Sequence, residues 1–399
     1  MEVGAWVGAG LSIAAFLAWG WLMLFRGQFW ATDQRLDVCR ADEGRIWPGV
    51  VAVVPARDEA ELIGETIASV LGQRYPGVLS VCLVDDRSSD GTAAVAREAA
   101  RRIANGRRLR VITAKERPEG WAGKVWALQQ GVEAATAMDH DYFWFTDADI
   151  VHSPDVLASL VARAEGEKLD LVSVMAKLHV STIWDKLLIP AFVFFFGKLY
   201  PFRWVNDHGR DTAAAAGGCV LVRKERLAEG GGLESMRDAI IDDCALARLV
   251  RGLGNRGRLW LGMSREVRSI RPYPGLRGIW DMVARTAYVQ LRRSPTLLAG
   301  TALGMLWLYL GPAVASGVGL ALILGGDGAK VGMALLTSGA TCWGLMSAIY
   351  TPMLRWYGLG GWWGPLLPAA GVLYTLMTLD SGRRTWMRRG GGWKGRTYR

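Results

Sequence analysis

Across the first half of the chain, short apolar runs alternate with longer stretches of helical periodicity. VVAVV (50–54), SVCLV (80–84), LRVIT (109–113) and YFWF (142–145) are rich in β-branched and aromatic residues, as buried strands are. After the first run, apolar Leu62, Ile63, Ile67, Val70 and Leu71 recur three and four residues apart, the spacing of one helix face. Further helices are predicted through about Arg102 and from Gly123 to about Met138. The unit recurs about every thirty residues, which predicts right-handed βαβ connections and an α/β, Rossmann-like, mostly parallel sheet. Ligands of such sheets bind beyond the carboxyl ends of the strands.

A different pattern flanks this region. Gly4 to Phe25 is uncharged over 22 residues, enough to cross a hydrocarbon core about 30 Å thick. It has no basic n-region, so an uncleaved anchor is expected rather than a signal peptide. Arg26, Arg35, Arg40 and Arg45 follow it, which predicts an outside N-terminus and a cytoplasmic domain. Near the C-terminus, Leu297–Gly326, Val331–Leu354 and Gly358–Leu379 are also uncharged and long enough to cross. Four crossings would put the basic tail outside, against the positive-inside rule. One run is therefore expected to be re-entrant or interfacial: the first, broken at Gly311-Pro312, or the last, with Pro365 and Pro368. A further run, Leu187–Trp204, is interrupted by Pro190, Lys198 and Pro201; it reads as an interfacial segment or a buried core helix.

The expected organisation is an anchor at 1–26, a cytoplasmic α/β domain at 27–296 with the interfacial segment at about 187–204, membrane helices at 297–379 and a basic tail at 380–399. Composition agrees with a soluble domain joined to membrane segments: 51% of residues are hydrophobic and 21% charged. The formal charge of +10 is uneven, because the last twenty residues hold seven Lys/Arg and one acid. Such a tail suits an anionic lipid surface or a phosphate-bearing ligand. The five cysteines are scattered without CxxC spacing and the histidines number four, which argues against a disulfide framework or a zinc centre.

The strand ends carry acids. The first run ends in PARDEAE, the second in DDRSSDGT (Asp85–Thr92) and the fourth in TDAD. Asp147 and Asp149, two apart in an extended stretch, point the same way and repel unless something positive lies between them. Carboxylates along one rim beside basic residues suit Mg2+ or Mn2+ bridging a nucleotide diphosphate. GWAGKVWALQQG (120–131) sets Lys124 at a helix start, where anions are favoured, although it lacks the P-loop pattern. IIDDCALARLV (240–250) opens a helical run on Asp242 and Asp243.

VPARDEAELIGETIASVLGQRYP, LVDDRSSDGT, GWAGKVWALQQG and TDADI together resemble the signatures of inverting family-2 glycosyltransferases of GT-A fold. More narrowly, the chain is similar to membrane-bound lipid glycosyltransferases, including ceramide glucosyltransferases. It most resembles bacterial hopanoid-biosynthesis-associated glycosyltransferases, on AAAAGGCVLVRKE (213–225), IIDDCALA and the closing WKGRTY. The resemblance implies that Pro55, Ala56, Arg57, Glu59, Asp85 and Asp86 line the nucleoside pocket. It sets Lys124 near the diphosphate or sugar, and Gly217 and Gly218 where backbone approaches the sugar. Asp147 and Asp149 become the DxD motif, with Asp149 the direct metal ligand. Asp243 becomes the catalytic base, with Asp242 beside it. The relatives' (Q/R)xxRW is met by QLRRS, so that Gln290, Arg292 and Arg293 are expected to contact acceptor or diphosphate, while Ser294 replaces Trp.

The implied protein is a metal-dependent hexosyltransferase of the bacterial inner membrane. It would move sugar from a nucleotide-sugar, UDP-linked, to a membrane lipid, with a role in hopanoid biosynthesis and no nucleic-acid partner. A polyprenyl-phosphate or polysaccharide acceptor is the alternative within the chemistry. An inactive membrane scaffold is the alternative outside it, against which the retention of Asp85, Asp147, Asp149 and Asp243 argues.

Overall fold

The computed structural model describes residues 2–39, 46–136, 138–326, 328–387, 392–393 and 396–397. Part of the basic tail (388–391, 394–395 and 398–399), together with Arg40 and Arg45, lies outside the described residues.

After helix α1 (Glu2–Phe25) the expected alternation follows: β1 (Val50–Ala56), α2 (Ile63–Leu71), β2 (Leu79–Asp85), α3 (Thr92–Arg101), β3 (Leu109–Thr113), α4 (Gly123–Ala135) and β4 (Tyr142–Thr146). These four strands pair in parallel, Ala56 opposite Asp85 and Val53 opposite Phe145, so their carboxyl ends share one rim. Successive side chains feed two cores. Val51, Val53, Phe143 and Phe145 face α4, while Ala52, Val54, Tyr142 and Trp144 face α2 and the helix that follows β5. The strands are apolar throughout because both faces are covered. At Gly131, α4 lies so close to β1 that an added Cβ would stand 2.3 Å from Val53 Cγ1.

The second half is less regular. It contains β5 (Ile150–His152), α5 (Val156–Gly166), β6 (Leu171–Lys177), α6 (Ile183–Leu199), α7 (Phe202–Val205), β7 (Cys219–Arg223), α8 (Lys224–Glu229), α9 (Asp242–Arg251), β8 (Leu259–Ser269) and α10 (Gly275–Gln290). The eight strands form one sheet in the order β3-β2-β1-β4-β7-β6-β8-β5. β7 runs antiparallel to both β4 and β6, and β5 is antiparallel to β8. The sheet is thus mixed, with the parallel part where the periodicity put it. The segment around 187–204 forms α6, whose Leu188, Ile189, Val193 and Phe194 are buried in the core.

α11 (Pro295–Met305) continues through a π-helical turn, Leu306–Leu310, into α12 (Gly311–Leu324). Then come α13 (Ala329–Trp356), α14 (Leu367–Trp386) and a two-residue antiparallel pair, β9 (Gly392–Trp393) with β10 (Arg396–Thr397). Among the described residues, three helices are long and apolar enough to cross a membrane: Val3–Phe25, Pro295–Leu324 and Ala329–Trp356. Their outward side chains are apolar, as at Leu17, Trp21 and Leu24. Close contact between α12 and α13 uses glycine: a Cβ on Gly319 would stand 2.5 Å from the Leu336 nitrogen. Between α13 and α14, the stretch Gly361–Leu366 doubles back along α13, so that Trp343 Nε1 donates to the Pro365 carbonyl at 3.0 Å. α14 then packs on α10 and α6, with Tyr374 OH donating to the Leu188 carbonyl at 2.9 Å.

Candidate active site

Three chain reversals bring the acidic motifs together. Asp147 and Asp149 occupy the turn between β4 and β5. Gly217 and Gly218 lead into β7, whose Cys219 pairs with Thr146. Asp242 and Asp243 form the first turn of α9, where carboxylates suit the positive end of the helix. Lys124, the second residue of α4, reaches into the middle of this group.

Lys124 Nζ lies 2.7 Å from Asp147 Oδ1 and 3.0 Å from Asp242 Oδ2. Burial opposes its charge, but Asp147, Asp242 and Asp243 outweigh burial and hold the ammonium well above the usual lysine range. Asp149 has a separate cation: Arg271 Nε is 2.9 Å from Asp149 Oδ2, and Arg271 Nη2 is 2.6 Å from Glu59 Oε1. Ser269 Oγ also donates to Asp149 Oδ2, at 3.2 Å. Asp147 and Asp149 are therefore each held by a different basic side chain. They still repel: burial, then Asp149 and Asp242, raise the Asp147 carboxyl above its ordinary pKa despite Lys124.

Asp243 is held differently. Its Oδ2 accepts from the Gly217 N–H at 2.8 Å and its Oδ1 from the Cys244 N–H at 2.7 Å. A Cβ on Gly217 would stand 3.2 Å from Lys124 Nζ and 3.3 Å from Asp243 Oδ2, so glycine leaves the space between them open. Burial, then the charge of Asp242, push the Asp243 carboxyl up to about 6, with Lys124 and the two backbone donors pulling the other way. A carboxylate poised near neutral pH is what a general base needs.

These residues line a cavity of about 760 Å3 with two unlike flanks. One carries Pro55, Glu59, Lys124, Asp147, Asp149, Gly217, Gly218, Asp242, Asp243 and Arg271. The other is apolar, with Leu178, Phe192, Phe196, Tyr273 and Met282, and reaches Asp281, Arg285 and Arg384. Phe195, beside Phe192 and Phe196 on α6, packs edge-on against Tyr309 and Tyr374 of the C-terminal helices. The apolar flank is thus continuous with the helical region.

Ala56, Arg57, Asp85 and Asp86 sit at the neighbouring strand ends rather than on the cavity wall. Arg57 Nη1 donates to the Asp86 carbonyl at 2.9 Å, and Asp85 Oδ1 accepts from the Ser88 N–H at 3.1 Å. Gln290, Arg292 and Arg293 are not brought to the cavity: Gln290 Nε2 donates to Tyr200 OH, and the two arginines are exposed in the left-handed turn after α10. Besides Lys124, the basic residues of the wall are Arg271, Arg285 and Arg384. Arg271 carries a signal that strand-end reasoning can use, since it stands two residues past the end of β8 and precedes a proline. Arg384 carries none, because only the return of α14 brings it near.

Among the described residues, no cluster of three or more His, Cys, Asp or Glu side chains is arranged to hold a metal ion by itself. The donor set nevertheless fits a hard cation that takes one or two carboxylates plus phosphate oxygens. Six carboxylates and four cations line the cavity, and repulsion remains at both Asp147 and Asp243; a divalent ion beside Asp147 would relieve part of it.

Residues 51–230 match the family model described as Glycosyl transferase family 2. Among curated proteins, the chain is 28% identical over 198 residues to 4,4'-diaponeurosporenoate glycosyltransferase of Staphylococcus aureus strain MRSA252. It is 29% identical to the protein of the same name from strain USA300. Each match covers 49% of this chain and 49% of the relative, so it spans about half the length of the curated relatives. Among solved structures, the chain resembles a mannosyltransferase from Pyrobaculum calidifontis in complex with GDP-Man and Mn2+. The TM-score is 0.56 at 18% identity, over 95% of this chain and 99% of the other. That likeness is one of fold, and it extends well beyond the family-matched segment. The GT-A architecture expected from the motifs is the observed one.

Proposed function

We propose, starting from the family 2 glycosyltransferase domain at 51–230, that the protein is a membrane-bound inverting enzyme that moves a sugar from a nucleotide-sugar to a lipid hydroxyl. The observation that carries this reading is the divided cavity. A charged flank at the strand ends suits a sugar diphosphate, an apolar flank running into the helical region suits a lipid, and Asp243 lines the same space. UDP is the donor nucleotide we favour. A hopanoid or ceramide-like alcohol is the acceptor class favoured by the motif resemblance. The Staphylococcus aureus relatives are named for a lipid-like acceptor, 4,4'-diaponeurosporenoate, which supports a lipid acceptor here.

Asp243 takes the proton from the acceptor hydroxyl as the oxygen attacks the anomeric carbon. Its two backbone donors hold the carboxylate in place, and Gly217 lets the sugar approach it. Lys124 supports negative charge on the departing diphosphate and keeps Asp147 and Asp242 apart. Glu59 and Arg271 fix the far side of the donor pocket. Asp147 and Asp149 would hold Mg2+ or Mn2+, which as a Lewis acid stabilises the leaving diphosphate. Asp149 must then share its oxygens with Arg271.

Three crossings, by α1, α11–α12 and α13, return the chain after α13 to the side of the catalytic domain. This supports a cytoplasmic domain with a cytoplasmic basic tail, and it leaves Gly361–Leu366 as the re-entrant stretch. The test is transfer of radiolabel from UDP-sugars into solvent-extractable lipid by membranes holding the full chain, with Mg2+ or Mn2+. Label in lipid that chelation abolishes is expected. Label released only as free sugar would overturn the lipid-acceptor reading.

A further inference from the structure

Away from the cavity, the structure gathers basic side chains without acids. β8 carries a bulge: Ala176 pairs with Ser264 but Lys177 pairs with Arg268, so residues 265–267 are skipped in the ladder with β6. Arg265 then lies over the Trp356 ring, 5.1 Å from its centre. Arg35 lies over the same ring at 5.0 Å, because the chain after α1 forms a β-bridge with β8 at Met263. Two guanidinium groups thus share one indole. Arg355, in the last turn of α13, is the adjoining residue.

Among the described residues, none of Arg35, Lys177, Arg265, Arg268 and Arg355 has a carboxylate partner within ion-pair distance. Glu266 instead lines a small cavity with Ser153 and Asp155. The crowding has an electrostatic cost: burial, then Arg265 and Arg268, hold Lys177 below the ordinary lysine pKa. Like charges gathered on an aromatic platform are stable when a bound anion completes them.

We infer that Arg35, Lys177, Arg265, Arg268 and Arg355 form a site for the phosphate headgroup of an anionic phospholipid, at the membrane surface facing the catalytic domain. Position argues for a lipid source. Arg35 follows the first membrane helix, Arg355 ends the last of the three, and both meet at Trp356. Apolar side chains flank the cluster in sequence: Ile183 and Trp184, 68% and 38% exposed, follow Lys177, and Trp362, 69% exposed, follows Arg355. Exposed tryptophans beside unpaired arginines are what a bilayer interface accommodates. None of the five cations lines the donor cavity, so this is a second anion site. Leu178 does line it, next to Lys177, so a headgroup here would sit beside the apolar flank.

The inference rests on the membrane reading above, and the test separates the two. The full chain is reconstituted in phosphatidylcholine vesicles with and without a quarter phosphatidylglycerol. Flotation reports insertion, and native mass spectrometry after detergent release reports retained phosphatidylglycerol. Wild type should float with both vesicles and retain phosphatidylglycerol. Arg265→Gln/Arg268→Gln should float equally but lose retention by roughly thirtyfold, about fivefold for each of the two cations removed. Arg265→Lys/Arg268→Lys should recover most of it, and Arg97→Gln/Arg101→Gln on α3 should change nothing. Equal retention by the glutamine variant overturns the site, and so does displacement of the lipid by millimolar inorganic phosphate, which would make it a free-phosphate site. Failure of wild type to float overturns the membrane reading itself.

Discussion

At Asp243 a half-buried carboxylate has been given two backbone donors and one like-charged neighbour, a balance that leaves it titrating near 6. As the proposed base, Asp243 must be ionised to accept a proton, so transfer should rise with pH through this value. Asp242 raises the pKa by repulsion. Asp242→Asn should therefore move the acidic limb of the pH–rate profile to lower pH; a limb that stays, or moves up, would assign the titration elsewhere. Gly217→Ala should cut transfer roughly tenfold or more, since its Cβ fills the gap between base and lysine. Its melting temperature should stay near wild type, which a thermal melt alongside the assay would check. These residues were legible because strand ends and helix starts are where an α/β sheet exposes charge. The need for positive charge at Asp147 and Asp149 was legible too. That Lys124 and Arg271 each hold one of them was not, because Arg271 comes from more than a hundred residues away.

The elements divide along the same line. Four apolar runs with local helical crossovers predicted β1 to β4 and their parallel pairing, since each connection is short and right-handed. The antiparallel entry of β7 and the pairing of β6 with β8 depend on long connections that leave no periodicity. α6 illustrates the ambiguity: a Phe-rich run broken by Pro190 suits both a bilayer surface and a core. In the fold it buries Leu188, Ile189 and Phe194 while presenting Phe192 and Phe196 to the cavity. Crowding between elements gives a direct test. Gly131→Ala must push α4 off Val53 and should destabilise the domain by about 1–3 kcal/mol in chemical denaturation. No loss would mean that α4 sits farther from β1.

For the whole molecule, the arrangement sets charged strand-end residues and an apolar, helix-facing flank around one carboxylate. Alkaline carbonate should leave the full chain in the membrane pellet, because α1, α11–α12 and α13 present apolar surface over their length. Release into the supernatant would mean peripheral attachment. The central claim is that Asp243 performs chemistry on a donor held by other residues. The most direct measurement compares UDP-sugar binding and sugar transfer for wild type and Asp243→Asn in the same vesicles with Mg2+ or Mn2+. The account predicts donor affinity within about threefold of wild type and transfer lowered by roughly 10²–10⁴-fold. Transfer close to wild type, or loss of donor binding in step with transfer, would contradict it.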